Sequence, residues 1–173
     1  MARKTKVKKS GLQKFALYFA IGFSFFILPL LGVTALRTIL LDSPPTFVGD
    51  SLTIERDNGK TVKYNVELAV TPAQHAQGLM YRQSMPQDGG MLFLFPKLQV
   101  AQFWMKNTYI PLDMLFVLGN GRIAKIAAQR RPEDTAITSS GVPVAAVIEL
   151  NGGEASRQGI KAGDKVLHSA FNP

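Results

Sequence analysis

Apolar and polar positions alternate along TVKYNVELAV. Val62, Tyr64, Val66, Leu68 and Val70 fall on one side, and Thr61, Lys63, Asn65 and Glu67 on the other. A period of two is that of a half-buried strand. SLTIER before it is a shorter strand, and Asp57-Asn58-Gly59-Lys60 between them carries the Asn-Gly hairpin signature. The period then changes. Thr71-Pro72-Ala73-Gln74 combines an N-cap, a proline at the first helical position and a Gln two residues beyond it. These are the elements of a capping box, so a short helix is expected from Pro72 to about Arg82. Gln87 to Gly90 reads as a loop. MLFLF (91–95) is apolar on both faces and is stopped by Pro96. AQFWM (101–105) and LDMLFVL (112–118) are further strands, and Gly119-Asn120-Gly121 turns the chain into RIAKIAA. Residues 129–143 are polar and irregular, and VAAVIEL (144–150) is an apolar strand broken by Asn151-Gly152-Gly153. A second short helix fits 154–158, with Gly159 suited to a left-handed helix end. KVLHS (165–169) closes the chain's pattern.

Many short strands with two small helices indicate an α+β domain built on a mainly antiparallel, barrel-like sheet. A different pattern precedes it. Residues 15–36, FALYFAIGFSFFILPLLGVTAL, are 22 positions without a charge, and about 20 suffice to cross hydrocarbon as a helix. The chain therefore divides into a basic tail (1–14), a transmembrane helix (15–36), a tether (37–46) stiffened by Pro44-Pro45, and a folded domain (47–173). Val33-Thr34-Ala35 also offers small residues where a signal peptidase cuts, so the span is an anchor or a signal peptide.

Charge sharpens the address. The tail holds six of the 20 Lys and Arg and no acid, which expects the N-terminus in the cytoplasm and the domain outside it. Its expected partner is anionic lipid. From residue 38 onward 13 basic residues face 12 acidic ones, so the net charge of +8 is not a nucleic-acid footprint on the domain. The expected location is a single-pass plasma or inner membrane protein with an extracytoplasmic domain, periplasmic in a Gram-negative cell. The chain has no cysteine, which excludes disulfides, thiolate metal sites, a cysteine nucleophile and a lipid-modified cysteine anchor.

Candidate chemistry gathers in FWMKNTYIPLD, residues 103–113. Alternation puts Phe103 and Met105 on one face and Trp104 on the other. Lys106 presents a cation, Asn107 an amide fork and Trp104 an apolar wall, a set suited to a small carboxylate, a phosphate or a sugar. The same residues also suit a turn: Asn107 and Thr108 bonding their own backbone, Lys106 pairing with Asp113, Trp104 filling the core. Glu149 is the one charge in VAAVIEL, and a buried Glu is rare unless paired. Asp113 and Glu149 are a candidate carboxylate pair for acid–base work; a salt-bridged structural Glu149 is the plainer reading. His75, on the wet side of its helix, and His168 form no ligand pair, and no nucleophile elbow, P-loop or dinucleotide fingerprint occurs. No metal or cofactor is expected. Met80, Met85 and Met91 add pliable apolar side chains.

Three blocks stand in order: GLMYR with GGMLFLF, FWMKNTYIPLDMLFV, and VIELNGG with GIKAGDKV. Their order and spacing resemble the DUF192 family over roughly residues 50–169, with FWMKNT-IPLD the distinctive signature. The resemblance implies a compact, mainly β fold, often exported or membrane-tethered, and no agreed reaction. The position before GLM, where family members often carry Arg, is Gln77 here. EASRQGIKAGDKV also resembles the ending of PDZ domains, but no carboxylate-binding loop precedes the second strand. The expected function is a membrane-anchored module that binds a small molecule or an envelope protein. Its candidate site is Arg82, Trp104, Lys106, Asn107, Asp113 and Glu149. The alternatives are a hydrolase or lyase using Asp113 and Glu149, and a purely structural envelope protein.

Overall fold

The first strand, β1 (Val48–Glu55), pairs antiparallel with β2 (Thr61–Ala69) in the hairpin that the alternation predicts. Gly59 supplies the positive φ of the turn, and Asn58 Oδ1 accepts the Lys60 N–H. The computed structural model describes residues 44–171. Helix α1 (Pro72–Gln77) follows with its capping box formed: Thr71 Oγ1 accepts from Gln74 N, and Gln74 Oε1 accepts from Thr71 N. It ends five residues before the predicted end because Gly78 takes a positive φ and closes it.

Helix α1 lies in the crossover between β2 and β3 (Gly89–Phe103), and those two strands pair in parallel. The remaining strands are β4 (Leu112–Val117), β5 (Ile123–Arg130), β6 (Thr138–Asn151) and β7 (Lys165–Leu167). Helix α2 (Glu154–Gln158) and a 3-10 turn at Ser169–Phe171 complete the described residues. One seven-stranded sheet runs β5-β4-β6-β3-β2-β1-β7. It curls until its edges meet at one end, where Ile123 N–H donates to Asp164 O (2.9 Å) and Val166 N–H to Gly121 O (2.8 Å). The result is a half-barrel.

Three expectations are corrected here. The domain is mostly β, not α+β: strands take about half of the described residues, and the two helices have six and five. The sheet is mainly antiparallel, as expected; its β2–β3 pair is parallel, since α1 carries the chain over the sheet instead of reversing it. The transmembrane helix that was to precede the domain at 15–36 lies outside the described residues. Among the described residues no helix is long and apolar enough to cross a membrane. Strand β3 also passes through Pro96 instead of stopping. Its pairing with β6 slips between Leu94 and Gln99, so the segment carrying the proline bulges free of the ladder.

The sheet buries both faces of β3, β4 and β6. Inside the curl, Leu52, Tyr64, Leu92, Leu115, Ile148 and Val166 form one core. On the outer face, Met91, Phe93, Met105, Met114, Phe116 and Val147 form another. Gly90 is required where β3 meets β6, because a Cβ there would stand 2.8 Å from the Glu149 carbonyl oxygen.

Candidate functional site

Strand parity separates the two acids. Asp113 stands opposite Leu150 and Glu149 opposite Met114, so their side chains leave the sheet on opposite faces. Asp113 belongs to the inner face with Leu115 and Val117, and Glu149 to the outer face with Val147. They do not meet in one cleft, and the carboxylate-pair reading falls with that geometry.

Asp113 is fully buried and accepts three backbone N–H groups, from Gln129 (2.7 Å), Gly153 (2.9 Å) and Ala155 (2.8 Å). Two of these donors stand at the start of α2. The acid is the anchor of that helix, which has no side-chain cap of its own. It makes no ion pair with Lys106, contrary to the turn reading.

Glu149 is 4 % exposed and sits in the ladder between Met91 of β3 and Met114 of β4. Among the described residues no donor reaches either carboxyl oxygen and no cation pairs with it, which overturns the salt-bridged reading. Burial without compensation pushes its pKa from 4.5 to about 8. The carboxyl is therefore neutral in most molecules at pH 7.

Glu149 is not sealed in. It lines a cavity of about 280 Å³ on the outer face, together with His75, Phe93, Phe95, Phe103 and Trp104. Helix α1 and the 78–80 turn form one wall; the bulged part of β3 forms the other. Phe93 and Phe103 pack edge to face with centroids 5.0 Å apart. His75 faces inward, correcting its expected wet position. Its Nε2 bonds Ala69 O at 2.9 Å, and its ring stands edge-on to Phe95. Gln77, at the position where the family often carries Arg, also lines the cavity.

Trp104 stands at the mouth, 46 % exposed, so it does not fill the core. Lys106 Nζ lies 5.4 Å from its ring centroid, a cation–π contact at the surface. Asn107 turns the other way. Its Nδ2 donates to Tyr81 Oη (2.9 Å), and its carbonyl accepts from Tyr81 N (2.7 Å). Both residues have positive φ, 56° for Asn107 and 65° for Tyr81. Asn tolerates that region and Tyr does not, so strain is held in the two turns beside the cavity. Arg82 faces a separate groove, where it holds Glu67 through two 2.6 Å bonds. Of the six candidate residues, then, Trp104 and Glu149 share a cavity, Lys106 covers Trp104, and Asn107 fastens an adjacent turn. Asp113 and Arg82 lie elsewhere. His75, Phe95 and Phe103 were missed as cavity residues. Alternation put Phe103 on the face opposite Trp104 and so gave no sign that both line one cavity; nothing local marks His75.

This arrangement defines a small, mostly β domain with one unpaired acid at an aromatic cavity. The chain belongs to the DUF192 family, described as an uncharacterized ACR, whose profile matches residues 53–168. Two solved structures are similar. One, from Sinorhizobium meliloti and described as a candidate transcription regulator, is 41 % identical, with a TM-score of 0.72, covering 74 % of this chain and 99 % of that one. The other, a protein of unknown function from Novosphingobium aromaticivorans, is 42 % identical, with a TM-score of 0.66, covering 70 % and 85 %. A search of curated proteins returned no match.

Proposed function

We propose that the domain is a small-molecule-binding module, held on the outer side of a membrane by the apolar run 15–36. The observation that carries the binding reading is Glu149: a carboxyl without a protein partner, lining a cavity walled by aromatic rings. Leaving a polar group buried and unpaired costs about 1–3 kcal/mol, and a ligand that supplies the partner recovers that cost. The location rests on the basic tail and the uncharged 22-residue run. The near balance of charge from residue 38 onward favours a ligand over nucleic acid.

Trp104 is the one tryptophan in the chain and stands at the cavity mouth, so its fluorescence reports occupancy directly. The full chain in mild detergent is screened against a chemically mixed set of small molecules. Compounds that shift Trp104 emission are expected, and Ala76→Trp, which places a ring at the mouth from an exposed helix position, is expected to abolish binding by calorimetry. No binder in the set, or binders indifferent to the plugged mouth, sinks the reading. A reporter fused after Pro173 tests the location; activity on the cytoplasmic side overturns it.

A further inference from the structure

We infer that the cavity takes an organic ammonium ion, a protonated primary or secondary amine on an apolar or aromatic body, with its N–H groups on Glu149. The inference rests on the binding reading above and names its ligand class.

The lining decides the sign of the charge. Among the described residues Glu149 is its one acid, and no Lys or Arg lines it. Lys106 is not in the lining and lies over the Trp104 ring. An ionised acid repels an anion and attracts a cation. The aromatic rings in the lining suit a cation as well, because the ring quadrupole places negative charge on an aromatic face. The remaining polar groups agree: Gln77, Gln99 and Gln102 add neutral amides at the walls, which hold a ligand's orientation without setting its charge.

A metal ion is a poorer occupant. Among the described residues no group of three His, Cys, Asp or Glu is placed to hold one, and a single carboxyl beside Met91 and Met114 gives one hard ligand in apolar surroundings. A neutral ligand would leave the carboxyl as it is and use one hydrogen bond. An ammonium ion forms a charge-assisted bond in a water-poor site, roughly twice as strong as a neutral one.

Proton balance follows from the same chemistry. The amine enters as R–NH3+, the carboxyl gives up its proton to solvent, and the pair is held as carboxylate and ammonium. Among the described residues His75 is the other titratable group in the lining, and its Nε2 is engaged by Ala69 O.

Benzylamine, benzyl alcohol and benzoate have one shape and three charges, and they separate the outcomes. Each is titrated into the full chain in mild detergent at pH 7, followed by Trp104 emission and by calorimetry in two buffers of different ionisation enthalpy. Benzylamine is expected to bind at least tenfold tighter than benzyl alcohol, with release of close to one proton, and benzoate is not expected to bind. In Glu149→Gln the tenfold preference for the amine and the proton release are both expected to vanish. Equal binding of amine and alcohol, or binding without proton release, overturns the ammonium assignment and leaves the cavity reading standing. If none of the three binds, the assignment falls; whether the cavity reading falls with it is decided by the mixed-compound screen.

Discussion

Asp113 and Glu149 are both buried acids on adjacent strands, offset by one residue in register, yet they do opposite things. Asp113 faces the inside of the curl and is bonded by three backbone N–H groups. Glu149 faces the outside, has no partner among the described residues, and meets a cavity. A charge in an apolar strand thus has two meanings, and burial does not distinguish them. The inventory of donors does: a satisfied acid builds the fold, and an unsatisfied one is left facing a cavity.

The largest effect that tests this contrast is the removal of the satisfied acid. Asp113→Ala leaves three buried N–H groups without an acceptor and frees the start of α2. A loss of roughly 4 kcal/mol is expected in urea unfolding. A loss under about 1 kcal/mol would put Asp113 on the same footing as Glu149 and erase the comparison.

Glu149 is expected to behave in the reverse sense. Between pH 4.5 and about 8 the unfolded chain has shed a proton that the folded chain keeps. Unfolding releases that proton, so stability falls as pH rises, by about 2 kcal/mol between pH 6 and 8. Glu149→Gln cannot ionise and should flatten this dependence, leaving the variant more stable than the parent at pH 8. Matching pH profiles for the two proteins would show that Glu149 has a partner after all.

The smallest effect lies in the turn. Asn107→Ala loses the bond to Tyr81 and puts a Cβ without a compensating amide at φ 56°; about 1.5 kcal/mol is expected in thermal melts. Asn107→Gly relieves the backbone and should cost about half as much. If Gly is worse than Ala, the turn's strain is not what Asn107 serves.

What the sequence disclosed follows the range of the interactions. The capping box at Thr71 and Gln74, the Asn58-Gly59 turn and the left-handed end at Gly159 depend on neighbours within a few residues, and each stands where the local pattern puts it. Parity set Trp104 apart from Phe103 and Met105, but it did not say whether the ring is exposed; Trp104 lies just past the end of β3. The donors to Asp113 come from 16 to 42 positions away, and no local pattern announces them. The absence of a partner for Glu149 is harder still, because it is a property of everything that folds around it. The parallel β2–β3 pair was lost for a related reason: a six-residue helix is too brief to signal a crossover.

The pairing of the first strand with the last has its own consequence. Strand β1 pairs with β7, Thr53 opposite Leu167, and these partners are 114 positions apart (167 minus 53). Contacts so distant along the chain slow folding, since the loop entropy is lost before the ladder rewards it. The first strand therefore keeps a raw edge until β7 has been made. Deleting the terminal ten residues should leave that edge open to the strands of other molecules, and clumping, more than a modest fall in stability, is the damage to expect.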